Sequence, residues 1–184
     1  MVKNKTYLNL VNTLRTLGTN HHFIKTTTVG DIYDVDLSKE TIFPLLHINP
    51  VSVQTGYSQL TYNFQIFVCD LVSEKKDWEE ENFVPNYSVT SKNLTNEIDV
   101  YNDTLQTCLD IVSIFRNSKW QSVTVGYGLD INNPEYFTEG EFSFEPFTER
   151  FDNLLTGWVF QMNVVVHNDF SSCDTPMTSA SITN

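Results

Sequence analysis

The stretch "LTYNFQIFVCDLV", Leu60 to Val72, alternates so regularly that an extended backbone is the conformation that suits it. Leu60, Tyr62, Phe64, Ile66 and Val68 fall on one side of a strand, and Thr61, Asn63 and Gln65 on the other. A helix would scatter these apolar residues around its circumference. The preceding "TIFPLLHINPVSVQTG" is extended as well, and Gly56 and Tyr57 mark the turn that joins the two as an antiparallel hairpin. Pro44 and Pro50 each lack an amide donor, so this first strand is interrupted or lies at a sheet edge.

A second alternating run follows near the end of the chain, from about Leu155 to His167. Trp158, Phe160, Met162, Val164 and Val166 share one face, and Val159, Gln161, Asn163 and Val165 share the other. "WQSVTVGYG" reads as a further strand from Trp120 to Tyr127, stopped by Gly126 and Gly128. "EFSFEPF" turns Phe142 and Phe144 inward, and the segment around Phe23 to Tyr33 is a strand or an ordered loop.

Two helices complete the inventory. Tyr7, Leu10, Val11, Leu14 and Leu17 recur at three- and four-residue steps, with Gly18 placed as a left-handed C-terminal cap. From about Asn96 to Arg116, the residues Ile98, Tyr101, Leu105, Cys108, Leu109, Val112 and Phe115 form an apolar stripe, with Thr95 as N-cap. Strands and helices in this order, without βαβ alternation, predict an α+β domain. Both helices cover one face of a mostly antiparallel sheet, and the Asn, Gln and Thr positions make the other, wetter face. A single domain spans residues 1–169, with a charged and polar excursion at about 73–94. Residues 170–184 have no period and read as a flexible tail.

Charge excludes some functions. Eleven basic residues against 23 acidic ones give a net charge of -12, which leaves no footprint for gripping phosphates. An acidic surface can still line a conduit for nucleic acid as a repelling wall. No apolar run is long enough to cross a bilayer. Cys69, Cys108 and Cys173 form no CxxC pair, so neither a disulfide framework nor a zinc site is expected, and a reducing cytoplasm is.

The search for chemistry yields no catalytic residue, cofactor or metal site. Asp77, Glu79, Glu80 and Glu81 sit beside Lys75 and Lys76 as a solvated charge run. His21 and His22 are adjacent, so their rings diverge, and His47 and His167 read as isolated strand histidines. Cys69 and Cys108 read as small core residues. No nucleophile elbow, phosphate loop or zinc-protease motif occurs, so no enzyme is expected.

"FTERFDNLLTGW" reads as a device for launching an edge strand. Phe147 and Phe151 are four apart and pack on one side of a turn, Asp152 and Asn153 are turn formers, and Gly157 lets the backbone approach a neighbour. Glu149 and Arg150 are left facing outward, able to pair with another chain. The phrase either shapes this domain alone or serves a subunit contact.

With these pieces in order, the chain up to about Asp169 resembles the tail terminator and neck-ring (head–tail connector) proteins of tailed bacteriophages. The stretches that carry the likeness are "FPLLHINPVSV…YNFQIFVCDLV" after an N-terminal helix, "NEIDVYNDTLQTCLDIVSIF" and "ERFDNLLTGWVFQMNVVV". The excursion at 73–94 and the stretch around Leu129–Tyr136 are longer than in a minimal terminator. The resemblance implies a virion structural protein, made in the host cytoplasm and forming a homo-oligomeric ring, six-fold or twelve-fold. Its partners would be adjacent neck, portal-side or tail proteins, and DNA would pass through without specific binding, with no membrane, cofactor or catalysis. On this expectation Glu149, Arg150, Asp152, Trp78 and Phe83 contact neighbouring subunits or partners. Asp77, Glu79, Glu80 and Glu81 are the channel-facing candidates. The competing expectation is a soluble cytoplasmic adaptor domain that binds a protein through a sheet edge.

Overall fold

The computed structural model describes residues 7–31, 42–72, 96–116, 136–138, 140–150 and 154–167. Helices α1 (Tyr7–Asn20) and α2 (Glu97–Arg116) pack on a sheet of six strands. In chain order these are β1 (Thr26–Val29), β2 (Leu45–Thr55), β3 (Gln59–Leu71), β4 (Phe137–Thr138), β5 (Phe144–Arg150) and β6 (Leu154–His167). The spatial order is β1-β2-β3-β6-β4, with β5 also paired to β6. Only β1 and β2 run parallel; the other pairs are antiparallel. The fold is therefore α+β with a mixed, mostly antiparallel sheet.

The alternation of β3 and β6 decides where the core sits. These strands pair along their length, from Gln59 opposite His167 to Leu71 opposite Leu155, so their apolar faces coincide. Tyr62, Phe64, Ile66, Val68, Phe160, Met162, Val164 and Val166 then form one buried surface with Leu46 and Ile48 of β2. Leu10, Leu14 and Leu17 of α1, with Cys108, Ile111 and Phe115 of α2, close over it. Phe142 and Phe144 lean inward as their alternation implies, with ring centroids 6.2 and 5.1 Å from Phe160.

Four expectations are corrected. Helix α1 does not stop at Gly18 but runs to Asn20. Gly18 is there for contact: a β-carbon on it would lie 2.7 Å from Leu46 Cδ2 and would also strike Thr27 Oγ1. On α2, Ile98 is 82 % and Leu109 41 % exposed, while Thr104 and Thr107 are buried. The buried face is rotated because both hydroxyls donate one turn back, to the Val100 and Asp103 carbonyls at 2.5 and 2.9 Å, which lets threonine enter an apolar interface.

The "FTER" phrase forms no turn: Phe147 to Arg150 belong to β5, a hairpin arm whose register carries it back along β6 from Leu154 to Gly157. Nor does it launch an edge strand. β6 lies inside the sheet, with β3 hydrogen-bonded along one backbone edge and β4 and β5 along the other. The strand expected at Trp120–Tyr127, the Thr95 cap, the excursion at 73–94 and the tail at 170–184 lie outside the described residues.

Candidate functional site

Between Glu40 and Asp70, and again between Asp152 and Asp169, the chain carries no Asp, Glu, Lys or Arg. All of β2, all of β6 and β3 as far as Cys69 are thus free of these charges, in a chain of net charge -12. The face of these strands opposite the helices divides into two halves.

One half is apolar and filled. His47 is 1 % exposed, with Thr28 Oγ1 2.8 Å from Nδ1 and the Gly30 carbonyl oxygen 3.0 Å from Nε2. A carbonyl only accepts, so the neutral ring that suits both bonds carries its proton on Nε2 and receives the Thr28 hydroxyl at Nδ1. The His47 ring lies 5.9 Å from Phe67, which meets Phe147 edge-to-face at 5.6 Å. Histidine here is a satisfied structural residue.

The other half is a grid of amides and hydroxyls. Cross-strand register places Gln65 opposite Asn49 and Gln161, Asn63 opposite Ser52 and Asn163, and Thr61 opposite Gln54 and Val165. Directly opposed residues share a face, so these side chains line one surface. Gln161, Asn163, Ser52 and Gln54 are exposed, yet Asn63 Oδ1 is buried and accepts no hydrogen bond. An acceptor in that state costs free energy that a donor from outside would recover.

The outer end of the β2–β3 hairpin forms an arm that overlaps this grid at Ser52 and Gln54, with β3 still paired to β6 as far as Gln59 and β2 as the outermost strand. Every residue from Val51 to Gln59 is exposed, with Val51 at 52 %, Val53 at 53 % and Tyr57 at 106 % of full accessibility. Gly56 N–H donates to the Gln59 carbonyl at 2.8 Å and closes the turn. β1 pairs only with Leu45–Ile48, and a bulge at Val51 shifts the register between Pro50 and Ser52. Past Ile48, the outer edge of β2 has no partner strand among the described residues.

The Cys69 and Cys108 thiols are both pushed up to about 12, chiefly by burial, and so stay protonated at neutral pH. No three His, Cys, Asp or Glu side chains among the described residues could hold a metal ion. Among the same residues, no helix is long and apolar enough to cross a membrane.

Of the residues expected at contacts, Glu149 and Arg150 lie on β5, opposite Leu155 and Leu154. Trp78, Phe83, Asp152, Asp77, Glu79, Glu80 and Glu81 lie outside the described residues. The arm was not anticipated as a site, although its signal is in the sequence: a long charge-free run with valines at 51 and 53 just past a proline. Neither the protein-family models nor the curated proteins include a match to this sequence.

Proposed function

We propose that this protein is a structural component of a tailed-phage virion, a homo-oligomeric ring at the neck or tail end through which DNA passes. The observation that supports this reading is the segregation of charge. A chain with 23 acids against 11 bases repels its own copies at long range. Copies can approach at least cost where charge is missing, and β2, β6 and most of β3 supply such a surface, part of it solvent-facing amide. The acids lie elsewhere, for example Glu97, Asp99, Asp103 and Asp110 on α2, and Glu141 and Glu145 beside and on β5. A ring closed through uncharged strands leaves those acids free to face a channel, where they keep DNA from adhering. The placement at neck or tail end rests on the resemblance in element order, as do the six- or twelve-fold symmetry and the neck, portal-side or tail partners.

Analytical ultracentrifugation over a concentration series, with negative-stain microscopy of the largest species, tests the reading. Rings with a central hole are expected. A species that stays monomeric, or forms only open or two-subunit assemblies at all concentrations, overturns it.

A further inference from the structure

We infer that the joint between subunits is the β2–β3 arm, whose open β2 edge takes an extended strand of a second copy of this chain. This rests on the assembly reading and names the surface through which copies meet.

The hydrogen-bond register shows what the edge offers. In an antiparallel pair, opposed residues alternate between those bonded to each other and those whose N–H and C=O point outward. The Gly56–Gln59 bond fixes the phase at the turn, so Gln54 and Thr61 face each other while Val53 and Thr55 turn their backbone groups away from β3. The same phase holds on the near side of the bulge, where the Ile48 carbonyl points outward and accepts the Gly30 N–H at 3.1 Å. Past β1 the edge therefore presents the N–H and C=O of Val53 and Thr55, flanked by the exposed Val51 and Val53 side chains.

Such an edge is normally blunted by charge, because unpaired strand edges recruit other strands. β5, on the other side of the sheet, is guarded in this way by exposed Glu145 and Pro146. Among the described residues, the β2 edge past β1 has Pro50 and the bulge as its only guards, and both come before Val53. Electrostatics selects the occupant. A basic partner would be drawn to acidic surface such as that of α2, with Glu97, Asp99, Asp103 and Asp110, whereas another copy of a chain at -12 is admitted best where neither copy brings charge.

The test uses the full chain and three variants. Val53→Pro removes an N–H that points away from β3, and Val53→Lys adds a charge to an exposed edge. Gln54→Pro removes an N–H that points toward Thr61. Circular dichroism and thermal melting should show a native fold for both Val53 variants and a damaged one for Gln54→Pro. Sedimentation should show self-association at least tenfold weaker in Val53→Pro and Val53→Lys. Amide hydrogen exchange should show Val53 and Thr55 protected only in the assembled wild-type protein. If Val53→Pro does not fold, Val53→Lys decides the matter.

Assembly of both Val53 variants at wild-type strength overturns the joint and leaves the ring reading standing. A Val53-dependent dimer that never closes into rings does the reverse. A wild-type chain that does not self-associate overturns both.

Discussion

Gly157 of β6 lies so close to Val68 of β3 that a β-carbon on it would collide with the Val68 carbonyl oxygen and sit 2.8 Å from Cys69 Cα. The obstacle is backbone, which cannot swing aside as a side chain would. Glycine is what allows the two central strands to approach at this point, as the sequence led us to expect. Phe67 and Phe147, on the strands either side of β6, join their rings at this level of the sheet. Gly157→Ala should therefore lower stability by about 1–3 kcal/mol or more, the range for overpacking a filled interior. Gly140→Ala is the useful contrast. There φ is +95° and nothing stands within 4 Å, so only backbone strain of about 1–2 kcal/mol is expected. Urea unfolding midpoints of the two variants check the order.

Asp70 offers a prediction in pH. It lies on β3, and its carboxyl is raised above the ordinary aspartate value by burial first, with Asp103 of α2 adding to the rise, while the Leu71 N–H bond at 2.7 Å opposes it. A carboxyl whose value is raised on folding favours the fold when protonated. Its contribution is complete below the unfolded aspartate value and is lost as pH rises through the higher folded value. Asp70→Asn keeps an acceptor for the Leu71 N–H and removes the charge. Its stability relative to wild type should improve between pH 3.5 and pH 7, measured by urea unfolding at both. A difference that is flat or reversed with pH would show that Asp70 is not held in that state.

Helix α2 shows why part of the fold was legible and part was not. From Leu60 to Val68 in β3 and from Trp158 to Val166 in β6, one face is an unbroken row of apolar and aromatic residues, so burial there followed from pattern alone. On α2 the competing faces differ little in hydrophobicity, and the sequence reading favoured the one with Ile98 and Leu109. The buried face instead includes Thr104 and Thr107, whose hydroxyls are satisfied inside the helix, a local bond that no periodicity reveals. The order of the strands was also hidden, since pairing β3 with β6 depends on residues far apart in sequence. The amide grid was seen only as a wetter face, and the arm was missed because edge exposure depends on how short β1 is. Two substitutions follow. Ile98→Lys should change stability by less than about 0.5 kcal/mol, as a surface change does. Thr104→Val should be neutral or stabilising, because the Val100 carbonyl keeps its place in the helix ladder when the hydroxyl is lost. Thermal melting of each variant decides, and a large loss in Ile98→Lys would mean that the helix face is wrongly assigned.

Trp158 and Tyr101 hold the first half of α2 to the sheet. The indole Nε1–H donates to the Tyr101 carbonyl at 2.8 Å, the two rings meet edge-to-face at 5.6 Å, and the Tyr101 hydroxyl lies 2.9 Å from Thr148 Oγ1 on β5. Trp158→Phe keeps an aromatic ring on the core face and removes the indole donor. The expected loss is about 0.5–1.5 kcal/mol, that of one hydrogen bond. Tyr101→Phe removes a more exposed hydroxyl and should cost less. If Tyr101→Phe proves the more damaging in urea unfolding, the helix is held mainly through β5 rather than β6.

DNA binding separates a conduit from a clamp. A protein that holds DNA by phosphate contacts releases counterions, so its affinity falls steeply as salt rises. That mechanism needs basic residues gathered on one surface, and this chain has 11 in all against 23 acids. Two of the basic residues are already engaged: Arg116 donates to the Gly140 carbonyl and lies 4.8 Å over the Phe142 ring, and Lys25 donates to the His22 carbonyl at 3.2 Å. The uncharged strands offer no phosphate ligands beyond neutral amides and hydroxyls, which lack the long-range attraction that brings a polyanion to a surface. Neither duplex nor single-stranded DNA should shift in a gel with the isolated protein at physiological salt, and lowering the salt to about one third should not create a shift. Assembled rings should behave in the same way, because closure through uncharged strands buries no acids and leaves the net charge per subunit at -12. Tight, salt-sensitive binding by either form would mean that the channel grips DNA, and the proposed role as a passive conduit would fall with it.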